Sequence, residues 1–543
     1  MAPAVVVKRS LVFIHRWLGV VLCLLFLVWF ASGIGMMYWT YPTVTARDRV
    51  DRAPVLDAAT VKLSPEEAWK IIGADDPPAQ IRLNTFDGRP VYRFGGRGGQ
   101  QIVYADTGEE QFEVPMDMVR RVASAWTRQP LASATVEELN EPDQWTLQGR
   151  FADRAPLYKF SWPNGEQVYV SAASGEVDQY TTTASRWGAY VSAIPHWLYF
   201  TPLRKRGPEW SRIVIWSSAI GTGAAVLGVV LGVWMYSPSR KYRNAGAPTA
   251  IPYRGQKRLH TIFGLVFGVG AVTWAFSGLL SMDPFPRRTN RPVGGGEQIG
   301  RVSPTAPRAI QTAVRGRVRL DMFAAKHPRE AIAQLASSGP APTFALRATA
   351  GKEGERHVRG VKDLELIVAA GAPSYLATLE GGGTRIVPVD GNPIDGLTPQ
   401  HITEVITRAA GVDALAEIRT IDQYDRYYLD RRRERTLPVV LARLNDEEAT
   451  RYYIDPKTAR VVASYSARNW MSRWAYHGLH SLDFPWLYNY RPLWDIVVIT
   501  FMAGGTALCV TSLILAWRVV GRKLRTFGVP AQVEVLNEDL VAS

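Results

Sequence analysis

Residues 15–37 read HRWLGVVLCLLFLVWFASGIGMM, and residues 260–282 read HTIFGLVFGVGAVTWAFSGLLSM. Arg16 is the only charged residue in either stretch. A hydrocarbon core of about 30 Å is crossed by roughly 20 apolar residues in a helix. The windows 213–239 and 496–517 are similarly long and uncharged. The sequence therefore predicts four transmembrane helices.

Buried helices of a soluble core and a cleaved signal peptide are less consistent with these windows. Trp and Tyr stand at their ends, as at membrane interfaces, which disfavours buried helices of a soluble core. The first window is longer than the 7–15 apolar residues of a signal peptide, and no small-x-small cleavage pattern follows Met37. We therefore expect a retained first helix.

The net charge of +14 is typical of nucleic-acid binding, but the basic residues cluster beside the apolar windows. They precede the first window, fill the loop between the second and third, and follow the fourth. Such an excess marks the cytoplasmic side of membrane proteins. We therefore expect cytoplasmic termini, two large periplasmic segments and no nucleic-acid partner. Cys23 and Cys509 lie within apolar windows, which excludes a disulfide framework.

The predicted organisation alternates membrane helices with longer segments. In chain order it comprises a cytoplasmic N terminus with helix one (1–41), a periplasmic domain (42–210), helix two (211–239), a basic cytoplasmic loop (240–258), helix three (259–282), a second periplasmic domain (283–491), helix four (492–518) and a cytoplasmic tail (519–543).

Two fixed offsets relate the halves of the chain. An offset of 245 places His15 on His260 and Trp29 on Trp274, and an offset of 284 places His196 on His480 and Trp210 on Trp494. Such matches among only 8 His and 18 Trp predict an internal duplication of a helix–domain–helix unit. Each unit crosses the membrane twice, so the units are expected to share one orientation about a pseudo-two-fold axis along the membrane normal.

The long segments show the signals of α+β domains. Ser64, Pro65 and Glu67 form a capping-box pattern that begins a helix. Alternating runs bounded by turns such as 106–108 predict strands. The predicted strands are Gln80–Leu83, Pro90–Phe94, Gln101–Tyr104, Leu157–Trp162, Gln167–Val170, Pro438–Ala442 and Thr450–Ile454. The stretches 287–307 and 351–355, rich in Gly, Pro and Arg, predict loops.

Histidines at the helix ends form two symmetry-related sets. The pseudo-axis allows His15 to face His260 and His196 to face His480, and intramembrane histidines usually have partners. Facing imidazoles on adjacent helices suit two bis-histidine b-type haems. Small and aromatic residues nearby are candidate contacts for a flat macrocycle: Gly19, Gly33, Gly264, Gly278, Trp29 and Trp274.

The same residues also fit more ordinary roles. A single histidine at a membrane boundary is ordinarily interfacial, and glycine often serves close helix packing. Zinc fits less well, because no Cys or carboxylate completes a tetrahedral set at His15 and His260. His477 has Ala193 as its counterpart. Its spacing to His480 predicts one helix face, and the sequence leaves open whether His477 replaces His480 as ligand.

Several motifs resemble a known family. The segment 13–19 (FIHRWLG), the later Ser32-Gly33 and the segment 476–480 (YHGLH) resemble the PepSY-associated transmembrane family, and the segment from Ser64 to Glu109 is similar to a PepSY domain. This family includes bacterial inner-membrane ferric-siderophore reductases that contain haem b. The resemblance implies a multi-pass inner-membrane protein with His15, His260, His196 and His480 as haem ligands.

We therefore expect a transmembrane oxidoreductase that reduces ferric siderophores or other ferric chelates in the periplasm. Candidate substrate contacts are aromatic or basic residues near His196 and His480, which would otherwise form an interfacial belt: Trp197, Tyr199, Phe200, Trp486, Tyr488 and Arg204. No dinucleotide fingerprint occurs in 240–258 or 519–543, so electrons are expected from membrane quinol or a cytosolic reductase.

Two alternatives belong to other functional classes. PepSY-like domains also suit a non-enzymatic membrane regulator that binds a partner, although this function requires no paired histidines. A parallel-repeat transporter is the other alternative. The near absence of charged residues from the apolar windows argues against ion coupling.

Overall fold

A computed structural model describes residues 3–74, 76–96, 99–151, 154–284, 308–337, 360–430 and 433–528. The α-helices are α1 (Pro3–Met36), α2 (Ala46–Arg52), α3 (Pro65–Ile72), α4 (Met116–Thr127), α5 (Thr183–Val191), α6 (Ala193–Trp197), α7 (Thr201–Arg204), α8 (Gly207–Met235), α9 (Gly255–Ser281), α10 (Arg308–Val314), α11 (Pro328–Ser337), α12 (Pro399–Ala410), α13 (Leu479–Ser481), α14 (Pro485–Tyr488) and α15 (Leu493–Gly528). A π-helix (Met471–Gly478) precedes α13.

The strands belong to four sheets. They are β1 (Gln80–Phe86), β2 (Arg89–Gly96), β3 (Gly99–Tyr104), β4 (Thr135–Leu139), β5 (Leu157–Ser161), β6 (Gln167–Ser171), β7 (Val177–Thr181), β8 (Tyr242–Asn244), β9 (Ala247–Thr249), β10 (Arg315–Gly316), β11 (Val361–Ala369), β12 (Ala372–Leu379), β13 (Thr384–Pro388), β14 (Leu415–Ile421), β15 (Val439–Leu444), β16 (Arg451–Asp455) and β17 (Arg460–Tyr465).

Helices α1, α8, α9 and α15 form the first compact unit, together with the short helices that precede α8 and α15. Each of the four is long and apolar enough to cross a membrane, as the sequence predicted. The N-terminal helix begins at Pro3 and ends at Met36, before the predicted limit of residue 41. The predicted loop 240–258 contains the β8–β9 hairpin and the first turn of α9.

The long helices pack in a ring. Helix α1 contacts α8 and α15, and helix α9 contacts the same two neighbours. Helices α1 and α9 are therefore diagonal members of the bundle and face each other across its centre. Paired histidines were expected on adjacent helices, and this ring order shows that the helices of His15 and His260 are diagonal instead.

The second compact unit comprises the described residues of 42–186 and 293–471. Its largest sheet has the strand order β13-β12-β11-β1-β2-β3, and β10 pairs with β11. At its centre β1 and β11 run antiparallel, with Leu83 opposite Leu364. Both leucines are buried in one hydrophobic core with residues from both long segments. The two segments therefore share one sheet.

This shared sheet differs from the two periplasmic domains (42–210 and 283–491) predicted from the sequence. The alternation of apolar residues identifies strands but not distant pairing partners, so the β1–β11 pair was not predicted. Across that pair Arg82 Nη2 lies 2.9 Å from Asp363 Oδ2. Burial raises the pKa of the Asp363 carboxyl, and the Arg82 guanidinium counteracts this shift. Residues 187–210 and 472–491 belong with the helices rather than the sheet unit.

The same element order recurs in both segments of the sheet unit. The first runs α3-β1-β2-β3-α4-β4-β5-β6-β7, and the second runs α11-β11-β12-β13-α12-β14-β15-β16-β17. The capping box that begins α3 at Ser64 is present as predicted. The predicted strands coincide with β1, β2, β3, β5, β6, β15 and β16. The predicted loops 287–307 and 351–355 lie outside the described residues.

Candidate functional site

The helical unit brings four histidines together as two pairs. The ring centroids of His15 and His260 are 6.2 Å apart, with an interplanar angle of 43°. The centroids of His196 and His480 are 6.0 Å apart, at 63°. These are the two pairings that the duplicated sequence predicted.

Short helices position the second pair. His196 lies on α6, which contacts α1, and His480 lies on α13, which contacts α9. Each of these helices ends at a leucine that lies two residues after the histidine. Both leucines have left-handed backbone conformations, with φ of 53° at Leu198 and 51° at Leu482. A left-handed conformation is unfavourable for a residue with a Cβ and occurs mainly where the surrounding structure enforces it. The left-handed leucines therefore indicate that the surrounding fold holds the helix ends beside His196 and His480 in place.

Two buried tryptophans fix the backbone beside the same histidines. Trp210 Nε1 donates to the carbonyl of Trp197, at 2.8 Å, and Trp494 Nε1 donates to the carbonyl of Ser481, at 3.1 Å. Each acceptor residue directly follows a paired histidine. These contacts attach α6 to the start of α8 and α13 to the start of α15.

The Nδ1 atoms of the first pair have different partners. His15 Nδ1 lies 3.2 Å from the Ala224 carbonyl oxygen, which only accepts hydrogen bonds, so Nδ1 carries the proton. His260 Nδ1 lies 3.3 Å from Thr511 Oγ1 and 3.2 Å from Ser512 Oγ. Both hydroxyls donate to the Leu508 carbonyl and accept from His260 Nδ1.

Serine hydroxyls contact both histidines of the second pair. His196 Nδ1 lies 3.1 Å from Ser32 Oγ, and His480 Nδ1 lies 3.0 Å from Ser277 Oγ. Both serines lie on the long helices that face the pair, α1 and α9, and both are buried. In all four histidines a partner at Nδ1 orients the imidazole ring.

The separation of the rings fits a metal ion with two trans imidazoles. Imidazole–metal bonds are about 2.0–2.1 Å long, so two imidazoles on opposite sides of one ion have ring centroids roughly 6 Å apart. Among the described residues, no group of three or more His, Cys, Asp or Glu side chains is arranged to hold a metal ion. Two imidazoles alone do not complete a tetrahedral zinc site, and they would fit a group that brings further ligands of its own.

The predicted glycines differ in their surroundings. No atom lies within 4 Å of where a Cβ on Gly19 would stand, and the nearest atoms to such a Cβ on Gly264 and Gly278 lie at 3.9 Å and 4.0 Å. A Cβ on Gly33 would stand 3.0 Å from Met502 Sδ. Gly19 therefore has open space beside it, whereas Gly33 serves close packing.

Gly228, which no sequence motif singled out, has the closest approach to a paired histidine. A Cβ at this position would stand 2.7 Å from His15 Cε1. Real Cβ contacts essentially never come this close, so glycine lets the imidazole lie against helix α8. The offset of 284 pairs Gly228 with Ser512, a residue that contacts His260.

Aromatic rings occupy the bundle between the two pairs. The Trp274 ring lies 5.7 Å from Phe30 and 6.3 Å from Phe501, between ring centroids. Trp274 Nε1 also donates to the His480 carbonyl oxygen, at 2.8 Å. Trp29 lies 5.8 Å from Phe26. Trp274 therefore contacts the backbone of His480, whereas Trp29 packs against Phe26.

His480, rather than His477, lies opposite His196. The His477 ring packs on Tyr476, with centroids 4.6 Å apart. The prediction that these two histidines share one face assumed an α-helix. Residues 471–478 instead form a π-helix, which has more residues per turn, so positions three apart lie further from each other around the helix axis. The structure therefore pairs His480, and not His477, with His196.

The candidate substrate residues divide into buried and exposed members. Tyr199 and Tyr488 are buried, and the Arg204 guanidinium stacks 5.1 Å from the Tyr199 ring centroid. Trp197 is half-buried against Tyr199. Phe200 and Trp486 expose 47% and 69% of their surface, which makes them the two members with accessible rings.

Sequence reasoning missed the hydroxyl partners of the histidines. Ser32 was part of a family motif and Ser277 its match at the offset of 245, but neither was predicted to contact a histidine. Leu198 and Leu482 match at the offset of 284, but a leucine gives no sequence signal for a left-handed conformation. Thr511 and Ser512 gave no signal either, because hydroxyl residues are common in membrane helices.

Comparison with known proteins identifies a family. A family model described as the PepSY-associated TM region matches residues 12–342. The matched range contains His15, His196 and His260, with helices α1, α8 and α9, and His480 lies beyond it. No curated protein and no solved structure matches the chain.

Proposed function

The chain belongs to the PepSY-associated TM family, and we propose that it is a transmembrane haem b electron-transfer protein that reduces ferric chelates such as ferric siderophores. The proposal rests on two pairs of facing imidazoles. The ring centroids are 6.2 Å apart in one pair and 6.0 Å apart in the other. Family membership alone does not specify a reaction, so the proposal rests on the geometry of these side chains.

The histidines have the features that axial haem ligands need. In each pair the Nδ1 atoms have hydrogen-bond acceptors, which orient the imidazoles and raise their basicity. A haem held by the two histidines of a pair would supply one-electron redox chemistry. His15 and His260 would hold one haem, and His196 and His480 the other.

The two pairs are separated along the membrane helices. Ser32, which contacts His196, follows His15 by 17 positions in α1, and Ser277 follows His260 by the same number in α9. At the helical rise of 1.5 Å per residue, the two levels are about 25 Å apart. This distance suits transfer from one membrane face to the other, with Trp274, Phe30 and Phe501 in the intervening bundle.

The reaction transfers one electron to each ferric ion and converts Fe(III) to Fe(II). Oxygen-rich chelators hold the smaller, harder Fe(III) more strongly, so reduction releases the iron. The chelate is the electron acceptor, and membrane quinol or a cytosolic reductase is the donor. Phe200 and Trp486, the exposed aromatic residues near His196 and His480, are the candidate contacts for the chelate.

We further propose a bacterial inner-membrane location with both termini in the cytoplasm and the sheet unit in the periplasm. The basic residues of loop 240–258 support this orientation. We also propose that the chain arose by duplication of a helix–domain–helix unit. The recurring element order, the paired Leu198 and Leu482, and the paired Trp210 and Trp494 support this origin.

Absorption spectroscopy tests the proposal directly. The full chain, purified in detergent, is expected to give a reduced-minus-oxidised spectrum of b-type haem and a content of two haems per chain. Addition of a ferric hydroxamate chelate to the reduced protein should reoxidise the haems and release Fe(II), which a ferrous chromophore detects. A colourless protein would contradict the proposal and favour a non-enzymatic regulator. Haems that the chelate does not reoxidise would contradict the substrate assignment alone.

A further inference from the structure

The two serines that contact His196 and His480 each also have a backbone carbonyl as a hydrogen-bond acceptor. Ser32 Oγ donates to the Val28 carbonyl oxygen at 2.6 Å, and Ser277 Oγ donates to the Trp274 carbonyl oxygen at 3.2 Å. Each hydroxyl has a single proton, so toward the histidine it acts as an acceptor. An imidazole that binds iron through Nε2 carries its proton on Nδ1 and would donate it to this hydroxyl.

These contacts are buried and equivalent. Ser32 is 3% exposed and Ser277 is 0% exposed, so water does not compete for either hydroxyl. The two serines lie at the same offset of 245 that relates their helices. The histidines that they contact lie at the offset of 284. One arrangement of serine and histidine thus occurs on both sides of the pair.

The His15–His260 pair has a different set of partners. His15 donates to the backbone carbonyl of Ala224, which no side-chain substitution removes. His260 has two hydroxyl acceptors, on Thr511 and Ser512. At His196 and His480 one serine substitution removes the hydroxyl contact to Nδ1.

We propose that Ser32 and Ser277 are positioning residues that orient the imidazoles of His196 and His480 and lower the reduction potential of the haem that these histidines bind. The inference rests on the proposed function. A hydrogen-bond acceptor on Nδ1–H makes Nε2 more basic, and a more basic axial ligand stabilises ferric over ferrous iron. A lower potential at this haem favours electron donation to a ferric chelate.

Potentiometric titration of the purified haem-loaded protein tests the inference. Ser32→Ala and Ser277→Ala are each expected to raise the midpoint potential of one haem, the same in both variants, and to leave the other unchanged. Ser32→Thr keeps a hydroxyl and should retain the wild-type potential. Ser281→Ala is the matched control, because Ser281 Oγ donates to the Gly278 carbonyl on the same helix as Ser277. This control should change neither haem.

Haem content provides a second measurement. Loss of the hydrogen-bond partner of a metal ligand commonly weakens metal binding by about 10- to 100-fold, so the alanine variants should lose one haem more readily on dilution. If Ser32→Ala does not retain that haem, retention by Ser32→Thr at the wild-type potential would still support the inference. Alanine variants that retain two haems at unchanged potentials would overturn it and leave the proposed function intact. A wild-type protein without haem would instead contradict the proposed function.

Discussion

The two histidine pairs have nearly the same ring separation but different supports. His15 and His260 lie on long helices α1 and α9, whereas His196 and His480 lie on short helices that end in left-handed leucines. A backbone carbonyl and a double hydroxyl contact hold the first pair, and one serine hydroxyl holds each member of the second. Equivalent positions can thus have the same ring separation while different hydrogen-bond partners hold them.

Removal of a histidine should produce the largest difference between the pairs. His15→Ala and His260→Ala are each expected to lose one haem, the same in both, because each removes an axial ligand. His196→Ala and His480→Ala should lose the other haem. Haem content and the midpoint potential of the remaining haem measure this outcome. A common haem lost in both His15→Ala and His196→Ala would contradict the pairing.

A glycine substitution should disturb one pair by packing alone. In Gly228→Ala the added methyl group would stand 2.7 Å from His15 Cε1, and such overpacking typically costs about 1–3 kcal/mol. We expect weaker haem binding at the His15–His260 pair and an altered electron paramagnetic resonance spectrum from that site only.

Gly278→Ala is the matched control for this packing effect. Its methyl group would stand 4.0 Å from His480 Cε1, an ordinary contact distance, and should leave both haems in place. If the two alanine variants behaved alike, the close contact between Gly228 and His15 would not explain the effect.

Removal of one hydroxyl should have a smaller effect at His260 than at His480. In Ser512→Ala the Thr511 hydroxyl remains 3.3 Å from His260 Nδ1, whereas Ser277→Ala removes the hydroxyl partner of His480. The potential of the affected haem should therefore shift less in Ser512→Ala than in Ser277→Ala. The double change Thr511→Val with Ser512→Ala should enlarge the shift. An equal response of Ser512→Ala and the double variant would show that Thr511 does not act as the second acceptor.

Substitution of His477 should have the smallest effect. His480, and not His477, lies opposite His196, so His477→Ala is expected to retain two haems with wild-type spectra. A loss comparable to that of His480→Ala would indicate that His477 takes the ligand position when haem is bound. Haem content and absorption spectra of the two variants, measured side by side, distinguish these results.

The sequence by itself determined the four membrane helices and the histidines that face each other. Both features follow from the order of residues alone. Uncharged windows mark membrane spans, and the fixed offsets of 245 and 284 locate equivalent residues. The strands β1, β2 and β3 were also predictable from alternation over a few residues. The motifs at 13–19, 32–33 and 476–480 also identified the family from the sequence.

Only the tertiary structure decided which groups contact the histidines and how the long segments join. The partners of His15, His196, His260 and His480 lie more than 160 positions away in the chain. Likewise, β1 pairs with β11 across about 280 positions. Apolar periodicity specifies which face of an element is buried but not which distant element covers it. Hydrogen bonds and strand pairing at such separations depend on the packed fold, and this is why the serines and the shared sheet were visible only in the structure.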